Sequence, residues 1–165
     1  MNDSSMAEES SIVELRELLS RVQIELPHRC IATKKLLDNL PYWFRELGTG
    51  EGITNLEREL GAQIPESLRL FYRFPATGCW LCAHYDTDIF LEFYSPVERL
   101  HIVRWYYRPH LVLAQFPHDL SICAVQLDSD DPRIEWGEDG AHEPNNNSPI
   151  FFLDWLRRIA FDLME

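Results

Sequence analysis

The sequence has no long apolar run, no basic leader, no dense cysteine pattern and no familiar catalytic motif. No stretch approaches the roughly 20 apolar residues that a membrane-spanning helix needs. The opening residues, MNDSSMAEESS, are acidic and polar, whereas a secretory leader is basic and then apolar. We therefore expect a cytoplasmic protein that does not bind membranes.

Positive charge is scarce as well. The chain carries 15 Lys and Arg against 27 Asp and Glu, a formal net charge of -12. A phosphate backbone would meet a repulsive field, which disfavours nucleic acid as a partner. The basic and aromatic run RLHIVRWYYRPH could stack bases, or it could form a helix or crossover whose aromatic residues pack on a sheet. The net charge favours the second interpretation.

The four cysteines are too few and too irregularly spaced for a disulfide framework, so we expect reduced thiols. Cys79 and Cys82 form a CWLC pattern, with His84 close by and Cys123 on another predicted strand. A zinc or redox site could use these residues, but no second CxxC or paired-histidine motif completes a zinc site. CWLC also leads into a predicted strand, whereas a redox thiol normally starts a helix. We expect structural cysteines, no metal and no cofactor.

Catalytic patterns are missing too. The sequence contains no GxSxG elbow, P-loop or HExxH motif, and GTGEG follows a helix where a dinucleotide loop would follow a strand. The six histidines are scattered singly along the chain. We predict that the protein is not an enzyme.

Helical periodicity dominates the first half. Apolar residues recur at helical spacing up to Pro27, which is expected to end the first helix, and Pro41 interrupts a second helical pattern. In ITNLERELGAQIPESLRLFY, Thr54 and Glu57 predict a capping box and Gly61 a helix stop. Pro65 is expected as the first residue of the next helix. We expect a flexible tail over 1–10, a helical leader over 11–49 and one α+β domain over 50–165.

After Pro75 and Gly78 the pattern changes to strands. CWLCAHY and IFLEFY, on either side of DTD, predict a hairpin, and LVLAQF, LSICAVQLD and RIEWG predict further strands. Ser148 and Pro149 are expected to open a final helix. This order predicts an α+β fold, with helices on one side of a mainly antiparallel sheet of about five or six strands.

The chain from residue 50 to 165 resembles the SUKH superfamily, also called the Smi/Knr-like family. The resemblance rests on LERELG, the following IP, a helix with an aromatic pair, the strands, RIEWG and the closing SPIFFLDWL. PATGCW departs from the family's frequent Asn-Gly or Gly-Gly turn. The positions that match the family motif are Glu57, Leu60, Gly61, Ile64 and Pro65. The resemblance implies a binding function without catalytic residues, because bacterial members are inferred to be toxin-immunity proteins and fungal members regulate cell-wall signalling.

One segment is strongly acidic. Between Asp128 and Glu143 seven acids stand against one base, and Arg133 occupies the position where a calcium loop needs glycine. Such a segment can be a solvated loop or a docking face for a basic partner. The predicted partner-binding residues are Asp128, Asp130, Asp131, Glu135, Trp136, Glu138 and Asp139.

Together these patterns favour a protein-binding module that is monomeric when free. With the family resemblance, they suggest an immunity protein whose partner is a basic toxin domain. The alternative is an intracellular regulatory or scaffold protein of the same fold without a toxin partner. A metal or redox protein using the CWLC cysteines is the third interpretation.

Overall fold

In a computed structural model, the described residues are 3–85, 102–106, 108–116, 121–127, 132–138, 140–145 and 150–165. Within these ranges the fold is α+β, with seven helices and an antiparallel sheet. The helices are α1 Asp3–Arg29, α2 Ile31–Asp38, α3 Tyr42–Leu47, α4 Gly50–Leu60, α5 Glu66–Arg73, α6 Ala76–Tyr85 and α7 Phe152–Met164. The strands are β1 Ile102–Trp105, β2 Arg108–Gln115, β3 Ser121–Gln126, β4 Arg133–Glu138 and the two-residue β5 Ile150–Phe151. None of the described helices combines the length and apolar character needed to cross a membrane.

The first helix is longer than the sequence predicts. It begins at Asp3, so most of the expected tail is helical, and it continues through Pro27 to Arg29. Pro27 lies in the last turn and has no N–H to donate there, but the helix continues past it, and Cys30 N–H still donates to Leu26 O at 2.9 Å. The predicted stop at Pro27 is therefore wrong, whereas Pro41 does separate α2 from α3.

The predicted helix stop at Gly61 is confirmed, and the predicted capping box is not. Gly61 has a φ of 65°, the left-handed conformation that glycine adopts at low cost. However, α4 begins before Thr54, and its cap is Thr49, whose hydroxyl accepts from Gly52 N–H at 3.1 Å. Thr54 lies inside the helix and donates back to the carbonyl one turn earlier. Pro65 is the N-cap of α5, so this helix begins at Glu66, one residue later than predicted.

The main error of the sequence-based prediction is α6. CWLCAHY was expected as a strand, yet it lies in the helix Ala76–Tyr85. The helix begins directly after Pro75, and Ala76 N–H donates to the side-chain oxygen of Gln23 on α1 at 2.8 Å. A cap supplied by a residue 53 positions away is invisible to local propensity. The predicted hairpin partner IFLEFY lies outside the described residues.

The sheet runs in the order β1-β2-β3-β4-β5, with every neighbouring pair antiparallel. LVLAQF, SICAVQ and RIEWG are strands as predicted, whereas RLHIVRWYYRPH supplies β1 and the start of β2 in place of the expected helix or crossover. A register shift between Val112 and Ala114 places Leu113 and Ala114 on the same face. Ile150 and Phe151 pair with β4 as strand β5, so they are not helical. The last helix begins at Phe152, after the predicted start at Pro149.

The two faces of the sheet pack differently. One face contributes Leu111, Leu113, Cys123, Val125 and Ile134 to the main core, which it shares with the helices. The opposite face carries a smaller cluster, formed by Trp105, Val112, Ile122 and Ala124. The predicted packing of helices against one face of an antiparallel sheet agrees with this main core.

Candidate functional site

The acidic segment provides the candidate site, and the structure describes part of it. Glu138 ends β4, and Glu143 lies in the following loop, residues 140–145; both side chains are exposed. Four predicted partner-binding residues lie outside the described residues: Asp128, Asp130, Asp131 and Asp139. The remaining three, Glu135, Trp136 and Glu138, all belong to β4.

Glu135 forms a largely buried pair with His110. The Oε2 atom of Glu135 lies 2.5 Å from His110 Nε2, and the two side chains are 14% and 1% exposed. The other ring nitrogen, Nδ1, lies 2.9 Å from the carbonyl oxygen of Arg108. Because a carbonyl only accepts, Nδ1 is the donor in this contact, and Nε2 faces the carboxylate of Glu135. Glu135 therefore pairs with a residue inside the protein, and this contact connects β4 to β2.

Trp136 points away from Glu135, because consecutive residues of a strand face opposite sides of the sheet. Its ring packs against the main core and lies 5.6 Å from the ring of Phe116. Glu135 faces the side of the sheet that holds His110. The predicted docking residues of β4 therefore do not share one face, and Trp136 cannot be the centre of a patch around Glu135.

The 140–145 loop folds back over the smaller cluster. Asn145 N–H donates to Trp136 O at 2.6 Å, and the Cα of Pro144 lies 3.1 Å from the place that a side chain at Gly137 would occupy. Trp105 packs at the same glycine and is completely buried. Within the part of the chain that the structure describes, its indole N–H has no hydrogen-bond partner. A glycine at position 137 thus allows the loop and the indole ring to approach β4.

Tyr106 connects this loop to the β1–β2 turn. Its N–H donates to His142 O at 2.9 Å, its φ is 52°, and its side chain is 55% exposed. It is the one non-glycine residue with positive φ that the described ranges contain. We call the exposed residues Tyr106 and Glu143, which adjoin this hydrogen bond along the chain, the Tyr106 surface. In the sequence Tyr106 belongs to a basic aromatic segment, and no local signal indicates its positive φ.

The cysteines of the CWLC pattern do not assemble a recognisable metal site. Cys79, Cys82 and His84 lie on α6 and Cys123 on β3, and the described ranges contain no group of three metal-ligating side chains. Burial raises the pKa of the Cys79 and Cys123 thiols far above their ordinary range, with the neighbouring Cys82 adding to the shift at Cys79. CWLC lies in a helix, so the expectation that it leads into a strand is wrong. With raised pKa values, the thiols of Cys79 and Cys123 are nevertheless poor nucleophiles and poor metal ligands.

The residues of the family motif hold the junction between α4 and α5. The Oε1 atom of Glu57 accepts from Ile64 N–H at 2.8 Å and also pairs with Arg69. Ile64 is buried and Leu60 is half-buried against the main core. Together with the Gly61 stop and the Pro65 cap, these contacts give each motif position a structural role.

Comparisons with known protein families, curated proteins and solved structures find no match. The likeness to the SUKH superfamily therefore stays a prediction from the sequence motif.

Proposed function

We propose that this chain is a non-enzymatic protein-binding domain and, more specifically, an immunity protein that occludes a basic toxin domain. The observation that carries the proposal is Tyr106, an exposed aromatic residue held at positive φ beside the loop that contains Glu143. The immunity role itself rests on the resemblance to the SUKH superfamily.

The conformation of Tyr106 has an energetic cost. A non-glycine residue in the left-handed region costs about 1 kcal/mol or more, and such strain persists where the surroundings over-determine it. Here the hydrogen bond from Tyr106 N–H to His142 O fixes the turn. The Tyr106 ring is exposed to water and is therefore accessible to a partner. Tyrosine is among the residues that most often dominate binding energy at interfaces.

Charge defines the partner class. The protein carries a net charge of -12, Glu138 is exposed at the end of β4, and Glu143 is exposed in the loop that contacts Tyr106. A field of this sign accelerates encounter with a basic surface and repels an acidic one. A basic toxin domain fits this field. A regulatory or scaffold protein with a basic partner would use the same surface.

The experiment begins with any toxin-like gene that lies beside the gene for this chain. Its product is expressed in cells with and without the chain, and binding is measured by calorimetry and stopped-flow kinetics. We expect protection from toxicity and direct binding. Absence of a neighbouring toxin gene, together with failure to protect against any candidate toxin, would exclude immunity and leave the regulatory alternative.

The Tyr106 surface is tested with matched variants. Tyr106→Ala should weaken binding by about 2 kcal/mol, roughly 30-fold, which is typical of an interface hot spot. Tyr42→Ala is the control, because Tyr42 is 75% exposed but lies on α3. Equal affinities for the two variants would remove Tyr106 from the interface.

Charge reversal tests the acidic part. Glu138→Lys and Glu143→Lys should slow association, with a smaller effect at high salt, because steering is screened. The same reversal at Asp128, Asp130, Asp131 and Asp139 tests the rest of the predicted docking face. Glu135 is left unchanged, since its removal would break the pair with His110. Unchanged association rates for all reversals would rule the acidic segment out.

A further inference from the structure

The pair formed by His110 and Glu135 reaches across the sheet. His110 lies on β2 and Glu135 on β4, so their contact of 2.5 Å spans the intervening strand β3. Ala124 of β3 pairs directly with Glu135 and is completely buried. Because directly paired residues of neighbouring strands point to the same face, the small side chain of Ala124 leaves room for this contact. The pair is therefore part of the face that carries the smaller cluster.

The ring of His110 also contacts Trp105, the residue before Tyr106. The centroids of the His110 and Trp105 rings lie 5.3 Å apart, with an interplanar angle of 56°. Trp105 is completely buried and packs at Gly137, where the 140–145 loop also approaches β4. Rings at such a separation attract each other in tilted arrangements. The orientation of His110 therefore bears directly on the position of the Trp105 side chain.

The strained conformation of Tyr106 needs more than one constraint. A non-glycine residue at a φ of 52° is unfavourable and persists only where its surroundings over-determine it. The hydrogen bond from Tyr106 N–H to His142 O, at 2.9 Å, is one constraint. The buried side chain of Trp105 is a second, because it anchors the residue that immediately precedes Tyr106.

We propose that the pair of His110 and Glu135 positions Tyr106. Glu135 fixes the orientation of the His110 ring, and this ring holds the Trp105 side chain in place. The anchored Trp105 then keeps the next residue strained and exposed. His110 and Glu135 are thus positioning residues that act through Trp105. The inference rests on the proposed function for the role of Tyr106 as a contact residue, whereas the conformation of the turn is measured without a partner.

The test measures amide hydrogen exchange by NMR at Tyr106 and, for comparison, at Phe116. The N–H of Phe116 donates to Ser121 O at 2.9 Å, at the opposite end of β2. Glu135→Ala removes the contact with His110 and should speed exchange at Tyr106 at least about fivefold relative to Phe116, because the turn opens locally. Equal acceleration at both amides, or none at Tyr106, overturns the proposal. If this variant does not fold, Glu135→Gln keeps the side-chain volume and takes its place, with the same expected direction.

Leu111→Ala separates positioning from a general loss of stability. Leu111 is adjacent to His110 on β2 but belongs to the main core on the other face of the sheet. Truncation of a buried leucine costs about as much stability as the loss of a buried pair. The ratio of the exchange rates at Tyr106 and Phe116 should therefore stay unchanged. A ratio that rises as much as in the Glu135 variant would show a general effect and overturn the proposal.

Binding provides a second readout, with the toxin domain that tests the proposed function. Glu135→Ala should weaken binding of the wild-type chain but have little further effect in the Tyr106→Ala background, because both changes remove the same contact. Additive losses would contradict positioning through Tyr106. If Tyr106→Ala binds as tightly as the wild type, the proposed contact at Tyr106 fails, and the exchange ratio still decides whether the pair positions this residue.

Discussion

Gly52 is the position where the structure makes its sharpest prediction about stability. It is buried in the first turn of α4, and an added Cβ would lie 1.9 Å from the carbonyl oxygen of Glu46 and 2.5 Å from its carbonyl carbon. Real Cβ contacts essentially never fall below 3.0 Å, so α3 and α4 would have to separate locally by about 1 Å. Both clashing atoms are backbone, so no side-chain rotation relieves the overlap.

We expect Gly52→Ala to lower the free energy of unfolding by about 3 kcal/mol, the upper end of the usual cost of overpacking. Gly50→Ala is the matched control, because Gly50 lies in the same helix and an added Cβ meets nothing within 4 Å. That variant should be neutral or more stable by up to about 1 kcal/mol, since alanine restricts the unfolded chain.

Urea denaturation followed by circular dichroism measures both variants, with the m-value used to verify that the transition stays two-state. If Gly52→Ala lies within about 0.5 kcal/mol of Gly50→Ala, the tight junction between α3 and α4 does not exist as described, and the reasoning is refuted.

Three further predictions follow from the same chain. His110→Gln or Glu135→Gln should each lower the free energy of unfolding by about 3 kcal/mol, because removing one partner leaves the other buried. The control Glu138→Gln changes an exposed residue and should have no effect. Equal urea midpoints for the three variants would contradict this prediction. Gly61→Ala should cost about 1 kcal/mol, since alanine is strained at a φ of 65°, and Gly61→Asn less; a neutral alanine variant would disprove the strain. In the folded protein the pKa values of the buried thiols of Cys79 and Cys123 lie above the ordinary 9.0, so the unfolded chain releases these protons at a lower pH. The free energy of unfolding should therefore fall as the pH rises above about 9, by at most about 1.4 kcal/mol per pH unit for each thiol. Denaturation at pH 8 and pH 10 measures this slope, which should flatten in the variant with both cysteines changed to alanine.

Part of the candidate site could be predicted from the sequence. The acidic segment is a property of composition, and its exposed members Glu138 and Glu143 follow from it. The separation of Glu135 from Trp136 was also predictable, because RIEWG was expected as a strand and adjacent strand residues face opposite sides. The partner of Glu135 was not predictable, since His110 is 25 positions away and separated from it in the sheet by β3.

The contrast between Gly61 and α6 shows where local information ends. Local patterns are enough to predict the Gly61 stop, the amphipathic helix that follows it and the strands β2, β3 and β4, because each depends on residues within a few positions of one another. In contrast, long-range contacts are needed to make CWLCAHY helical, to continue α1 through Pro27, and to hold Tyr106 strained and exposed. These outcomes depend on a cap from Gln23, on packing between helices and on the hydrogen bond that Tyr106 N–H donates to the 140–145 loop. Such contacts join residues far apart in the chain, and local propensity has no access to them.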